Sequence, residues 1–279
     1  MPIQNIPEIY LKNKIDKIDL FVYDFKMTDD VVKSKVNLSF HMFSFLQTGK
    51  KQVHFADTTV AVNKAQSILI KKGNSLWTEL LDKETIYYCK LLFFSENKLK
   101  EFLKKHSKIK KPIKEDKSSF FIIKNDAFIT SYLNSLSAIN TEPSNFINNL
   151  LSIKFEEIML YLMNKYNRKF ELYLHSLISK EGSPFKKIVE NNIYSNLKLE
   201  EIAFLCNMSL STFKRAFIKE YQTTPGKWLQ KKRLHKAKEV LKEGKLKPSE
   251  IYYNFGYNNL SNFSIAFKNE FGISPKEIV

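Results

Sequence analysis

Side chains suited to holding an anionic partner gather toward one end of this sequence. Ser211, Thr212, Lys214, Arg215 and Lys219 stand within one short stretch. The Arg fork matches the paired acceptors on a guanine edge, Lys can meet the same base, and hydroxyls reach bases or phosphates. Fifty positions further on, Ser261, Asn262, Ser264 and Lys268 occupy a similar stretch. Between the two lie Lys227, Lys231, Lys232 and Arg233, whose charges suit phosphates that fix register on a duplex. Base-reading candidates are therefore Ser211, Thr212, Lys214, Arg215, Ser261, Asn262 and Ser264. Phosphate candidates are Lys219, Lys227, Lys231, Lys232, Arg233 and Lys268. Other chemistries find no matching constellation. The five histidines, at 41, 54, 106, 175 and 235, form no His-x-His pair of the kind a barrel metal site needs. Cys89 and Cys206 are far apart and form no CxxC, which excludes a disulfide scaffold and a Cys-rich zinc site. Cys206 reads as a small buried apolar residue. There is no Gly-rich phosphate loop, Ser-His-Asp order or paired-carboxylate motif. No metal, cofactor or enzymatic activity is expected, and Glu79, Glu84 and His106 read as surface residues.

A duplicated element positions these groups. Phe213, Ala216, Phe217, Glu220, Tyr221, Thr224 and Pro225 recur as Phe263, Ala266, Phe267, Glu270, Phe271, Ser274 and Pro275, an offset of 50. Ser211 and Ser261 also match. Upstream the register slips by one: Ile202, Cys206, Asn207 and Met208 correspond to Ile251, Phe255, Gly256 and Tyr257, so the second turn is one residue longer. Each copy predicts helix, tight turn, helix. Leu199 to Leu205 leads in the first copy. Asn207 and Gly256 tolerate the left-handed backbone of the turn, and Ser209 and Asn259 cap the helix that follows. Phe213, Ala216, Phe217 and Tyr221 share one face of that helix. The polar side chains are left on the opposite face, which a major groove admits. Gly226 to Lys242 predicts a linking helix, with Trp228, Leu229, Leu234, Ala237 and Leu241 on its apolar side. A duplicated helical bundle without a ligand would give no reason for a basic outer face and a basic connecting helix.

The charge balance agrees. The chain carries 45 basic against 29 acidic residues, a net +16, and an anionic partner suits such a surplus. From Pro184 to Val279 there are 17 basic and 9 acidic residues. The preceding 183 residues spread the same surplus over about twice the length.

A length of 279 residues suits two domains. Ahead of the basic tail, short aromatic and β-branched runs at 20–26, 38–46, 52–55, 59–62, 67–70 and 85–94 predict strands of a small barrel or sandwich. Leu38, Phe40, Met42 and Leu46 alternate with Phe43 and Phe45, so that segment should be covered on both sides. Helices follow at 97–105, 126–138 and 144–166, with a strand at 120–123. The expected fold is α+β. An N-terminal domain of residues 1–179 holds a β-barrel over about 18–95 and trailing helices over about 97–179. A linker spans 180–183, and an all-α domain of two helix-turn-helix units joined by a linking helix spans 184–279. Phe40, Phe43, Phe45 and Trp77 either line an effector pocket or form barrel core. The helix around Phe155 is either a dimer seam or packs on its own domain. Residues 1–14 lack the apolar stretch of a signal peptide, and no apolar run approaches the ~18 residues of a membrane helix, so a cytoplasmic protein is expected.

The stretches IAFLCNMSLSTFKRAFIKEYQTTPGKWLQKKRLHKAKEVL and IYYNFGYNNLSNFSIAFKNEFGISPKEI resemble the DNA-binding domain of the AraC/XylS family of bacterial transcription regulators. The resemblance spans both units and includes Pro225 and Pro275. That family often has Arg or Lys where this chain has Ile265; an apolar contact with a thymine methyl would take its place. The run HMFSFLQTGKKQVHF is similar to the cupin-like sensor or dimerisation domain common in the family, in the variant found in activators of type III secretion. The resemblance implies double-stranded DNA and RNA polymerase as partners, and activation more than repression. It also implies control of the N-terminal domain by a small-molecule effector or a regulatory protein, with a homodimer as one form of that control. The competing readings are a cupin-type enzyme fused to a DNA-binding tail, and a protein-interaction adaptor. As a regulator, its two recognition helices should enter successive major-groove segments about one helical turn, roughly 34 Å, apart.

Overall fold

Alternating apolar side chains and turn residues fold the first part of the chain, among the described residues, into ten strands. These are β1 (Ile3–Ile6), β2 (Leu20–Met27), β3 (Val31–Leu38), β4 (His41–Thr48), β5 (Lys50–His54), β6 (Thr59–Val62), β7 (Gln66–Ile70), β8 (Gly73–Leu80), β9 (Tyr87–Phe94) and β10 (Phe120–Lys124). The computed structural model describes residues 2–11, 18–82, 85–109, 118–137, 139, 145–178, 185–195 and 197–278. The expected linker at 180–183 and the expected surface residue Glu84 lie outside these. The chain divides into two units, one of Met1–Phe55 and Thr59–Gly182, the other of Ala56–Thr58 and Ser183–Val279.

In the first unit the strands pair as two five-stranded sheets, β1-β3-β8-β5-β6 and β10-β7-β4-β9-β2. The sheets stack face to face, and among the described residues their ladders do not close into one barrel. A one-turn helix α1 (Glu8–Leu11) follows β1. Helices α2 (Glu96–His106), α3 (Ala127–Ser137) and α4 (Asn145–Leu177) cover the outer face of the second sheet. The period-two alternation of β4 sets this layering. Met42 and Leu46 join Val36, Leu38, Val53 and Trp77 between the sheets. Phe43 and Phe45 point the other way and pack with Tyr132, Phe155 and Phe170 of the helices. Both faces of β4 are thus covered, as its pattern predicts. Phe155 is fully buried within its own unit. The backbone of α4 is non-helical at Asn167 (φ 50°), where two helical stretches meet at a kink.

The open choice between pocket and core for the four aromatic residues falls to core, and one surface expectation fails. Phe40, Phe43, Phe45 and Trp77 do not line one pocket. Phe43 and Phe45 stack on each other with ring centroids 5.5 Å apart on the helical side, whereas Trp77 and the half-buried Phe40 belong to the core between the sheets. The alternation that covers β4 on both sides also separates these rings. An apolar hollow of about 180 Å³ lies elsewhere, bounded by Leu11, Leu20, Val22, Leu136, Ile147 and Leu151.

Glu79 is not a surface residue either. It is 4% exposed and pairs with the buried Lys51, Nζ to Oε1 at 2.7 Å. Lys51 and Glu79 are opposite one another in the β5–β8 ladder. The Lys51 ammonium lies 3.6 Å from the Trp77 ring centroid, and the Tyr87 hydroxyl donates to the same Glu79 oxygen at 3.0 Å. A buried charge persists only with such partners. His41 is also buried, and its Nδ1 accepts the Lys72 N–H at 3.2 Å. Burial, then the charges of Lys72 and Lys71, hold its pKa down at about 3.

The second unit is helical: α5 (Phe185–Asn191), α6 (Leu199–Leu205), α7 (Leu210–Tyr221), α8 (Pro225–Lys242), α9 (Pro248–Ile251) and α10 (Leu260–Phe271). A 3₁₀ turn, Tyr252–Phe255, continues α9, and another, Pro275–Glu277, follows α10. The architecture is α+β, with a β-rich first unit and a helical second one. No described helix is long and apolar enough to cross a membrane.

Candidate nucleic-acid interface

The duplicated turns close by the same hydrogen bonds. After α6, Asn207 adopts φ 57°. The Met208 N–H then reaches the Ala203 carbonyl at 3.0 Å, and the Asn207 N–H reaches that of Phe204 at 2.9 Å. In the second copy Gly256 adopts φ 83°. There the Tyr257 and Gly256 N–H groups reach the carbonyls of Tyr252 and Tyr253 at 3.3 and 3.0 Å. This two-bond closure satisfies the orphan carbonyls of the leading helix and turns the chain sharply. Ser209 Oγ then accepts the Thr212 N–H at 3.2 Å, and Asn259 Oδ1 accepts that of Asn262 at 2.8 Å. Both second helices are capped as expected. The extra residue of the second copy falls just after the turn, where Tyr257, Asn258 and Asn259 stand against Met208 and Ser209. Seven α-helical residues in α6 become four in α9 followed by a four-residue 3₁₀ turn.

The repeat extends beyond the two helices legible in the sequence. At an offset of 49, Phe185 and Ile188 of α5, and Asn192 just beyond it, correspond to Leu234, Ala237 and Leu241 of α8. Phe185 packs on Phe213, ring centroids 5.5 Å apart. Leu234, Ala237 and Leu241 bury with Phe263 and Phe267. Each helix-turn-helix is therefore a three-helix bundle, and α8 is the first helix of the second one as well as a linker. Its N-terminal end closes the first bundle, with the Trp228 ring centroid 4.7 Å from that of Tyr221 and edge-on to Phe217 at 5.6 Å. Spanning both cores, α8 makes their separation a property of a continuous helix. The duplicated acids do matching work: Glu220 pairs with Lys186 at 3.1 Å, and Glu270 lies 3.1 Å from His235 and 3.6 Å from Lys231. Cys206 is buried, which pushes its thiol up to about 12 and leaves it an unreactive filler.

With Phe213, Phe217, Phe263 and Phe267 buried, the other faces of α7 and α10 are open. Ser211, Thr212, Lys214, Arg215 and Lys219 are exposed on α7. Ser261, Asn262 and Lys268 are exposed on α10, where Ser264 is half-buried. Lys227, Lys231 and Lys232 are exposed on α8.

Arg233 does not belong with these phosphate candidates. It is half-buried, and its Nε and Nη2 donate to the carbonyls of Ile193 and Ser195 at 2.7 and 2.8 Å. Burial lowers its pKa. The guanidinium ties α8 to the segment between α5 and α6, and it lies under the second turn, where a Cβ on Gly256 would come within 2.8 Å of Nη1. Its position on α8, one step round from Lys232, turns it inward.

A groove of about 670 Å³ runs between α8 and α10, with Lys227, Gln230, Lys231, Asn262, Ile265 and Asn269 among its walls. Gln230 and Asn269 are not among the residues singled out from the sequence. The signal for Asn269 was the repeat itself, which places it opposite Lys219 at the offset of 50. Among the described residues no group of three or more His, Cys, Asp or Glu could hold a metal ion.

Comparison with known proteins agrees with both units. Residues 41–173 match the family described as the ExsA N-terminal regulatory domain, and residues 202–279 match the helix-turn-helix domain family. The chain is 26% identical over 185 residues to the virulence regulon transcriptional activator VirF of Yersinia enterocolitica, covering 64% of this chain and 67% of that one. The thermoregulatory protein LcrF of Yersinia pestis matches with the same identity and coverage. Among solved structures, ToxT from Vibrio cholerae aligns over 93% of this chain and 97% of its own, at 15% identity and a TM-score of 0.41. With a regulatory-domain match on the β-rich unit and a helix-turn-helix match on the duplicated one, the comparisons support a transcription regulator of the AraC/XylS family.

Proposed function

We propose that this protein activates transcription by laying α7 and α10 in successive major-groove segments on one face of a duplex, under the control of its N-terminal unit. The observation that carries the reading is the pair of capped, outward-facing helices on bundles that share α8. At 18 residues, α8 is roughly 27 Å long at 1.5 Å per residue. With a bundle at each end, that length suits major-groove segments about 34 Å apart. Arg215, Lys214, Ser211 and Thr212 read bases from α7, and Ser261, Asn262 and Ser264 do so from α10. Lys219, Lys227, Lys231, Lys232 and Lys268 hold phosphates. Two relatives whose names describe activators or regulators of gene sets support activation, with RNA polymerase as the partner engaged once DNA is bound. The first unit acts as the switch, answering a small molecule or a regulatory protein and doing so through a homodimer. The protein works in the cytoplasm.

Mobility shift of the full-length chain on genomic fragments upstream of nearby genes tests this. Selected fragments should bind far tighter than bulk DNA, with affinity falling steeply as salt rises. Arg215→Ala should lose about 1–3 kcal/mol and relax preference at one base pair. Equal retention of every fragment would defeat the proposal.

A further inference from the structure

Resting on that reading, we infer that the two recognition helices read different base chemistry: α7 takes a G·C pair through Arg215, and α10 takes an A·T segment through Asn262, Ile265 and Asn269. The offset of 50 maps Thr212, Arg215 and Lys219 of α7 onto Asn262, Ile265 and Asn269 of α10. Spaced i, i+3 and i+7, each trio forms one stripe along its helix. In the first copy the stripe carries two cations. In the second it carries two carboxamides flanking an isoleucine. Lys214 likewise becomes Ser264, so Lys268 is the one cation that α10 itself presents.

The geometry makes this an exchange of chemistry on one surface. Ile265 is 60% exposed and takes no part in the core that Phe263 and Phe267 build on the far side of α10. Asn262, Ile265 and Asn269 stand together in the groove between α8 and α10, with Gln230 on the opposite wall. Among the described residues no hydrogen bond or ion pair engages the Arg215 guanidinium.

The bases supply the rest. In the major groove guanine offers two acceptors, which an Arg fork meets with two donors. Adenine offers one acceptor and one donor, which a carboxamide meets, and thymine alone adds a methyl. An isoleucine pressed on a G·C edge would leave polar groups without partners. Against a thymine methyl it leaves none.

Selection from a randomised duplex pool by the full-length chain tests the assignment. The enriched sites should hold two segments one turn apart, one with a fixed G·C pair and one of A·T pairs. Ile265→Arg should bring guanine into the second segment and leave the first unchanged, while Arg215→Ile should remove guanine from the first. Deoxyuridine in place of thymidine in the second segment should weaken wild-type binding about fourfold for each methyl covered, and leave Ile265→Ala almost unaffected. G·C pairs fixed in both segments, an Ile265→Arg pool identical to wild type, or indifference to uracil would each overturn the assignment and leave Ile265 an ordinary exposed side chain. A pool with no enriched sequence would overturn instead the DNA-reading function on which it rests.

Discussion

Replacing Arg233 by Ala, in parallel with Lys231 by Ala, separates a tie within the fold from a grip on DNA. The two residues are neighbours on α8 and carry the same charge. The Arg233 guanidinium makes two hydrogen bonds to backbone carbonyls, at 2.7 and 2.8 Å. Hydrogen bonds from charged donors contribute about 1.5–3 kcal/mol each when well shielded. Half-buried as these are, water competes, and the pair is worth about 2–4 kcal/mol together. Without it, the carbonyls of Ile193 and Ser195 lose their donors, and α8 loses its hold on the segment that starts α6. Hydrogen exchange followed by mass spectrometry on the full-length protein reads this locally. Amides from 197 to 206 should exchange at least about 30-fold faster in Arg233→Ala, the factor that 2 kcal/mol represents. The salt slope of DNA binding should not change. Lys231 has an exposed ion pair with Glu270 at 3.6 Å, worth little to stability. Its variant should exchange like wild type, bind all sequences more weakly and lose about one unit of salt slope. Unchanged exchange in Arg233→Ala, together with a reduced salt slope, would refute the reasoning and return Arg233 to the phosphates.

Three further outcomes are expected. His41 stays neutral in the folded chain down to about pH 3, whereas an unfolded histidine takes up a proton near 6.5; stability is therefore fully present above 6.5 and falls by about 1.4 kcal/mol per unit as pH drops below it. His41→Leu should flatten the urea midpoint between pH 6.5 and 5, and a slope equal to wild type would contradict this. Glu79→Leu strands the buried Lys51 ammonium and should cost roughly 3–5 kcal/mol, most of it recovered when Lys51→Met is added; denaturant titrations with the double variant no better than the single would show that the pair does not act as a unit. Asn207→Gly should gain up to about 1 kcal/mol by relieving a left-handed backbone, while Gly256→Ala should lose stability at φ 83°. Thermal midpoints moving in the opposite order would rule out the shared turn geometry.

How far the fold was legible depended on whether a residue's surroundings repeat in the sequence. The helix-turn-helix pair was readable because Phe213, Ala216 and Phe217 recur as the same residue types, and because Asn207 and Gly256 announce a turn that few residues tolerate. The helix that precedes each pair was not readable as part of the repeat, α8 being predicted as a linker only. Phe185 and Leu234 fill matching positions with different side chains, and burial constrains size and polarity more than identity. In the first unit, β4 was legible from its alternating Phe and Met side chains. β3 and β8 were missed because their inward positions include Ser34, Ser75 and Glu79, polar residues whose hydrogen-bond partners the sequence does not announce. β8 begins at Gly73 and Asn74, residue types that favour turns. The same blindness to long-range partners put Glu79 on the surface and Arg233 on the phosphates. Charge type is visible along a chain; the carbonyl or counter-ion that claims it is not.

Hydroxyl-radical footprinting of the full-length chain on a duplex from the selected pool tests the central claim most directly. Two three-helix bundles sharing α8 predict two protected patches on one face of the helix, their centres about 10–11 base pairs apart. They also predict that Arg215→Ala and Ile265→Arg each alter only one patch. A single patch, two patches on opposite faces, or a single substitution erasing both would contradict the account.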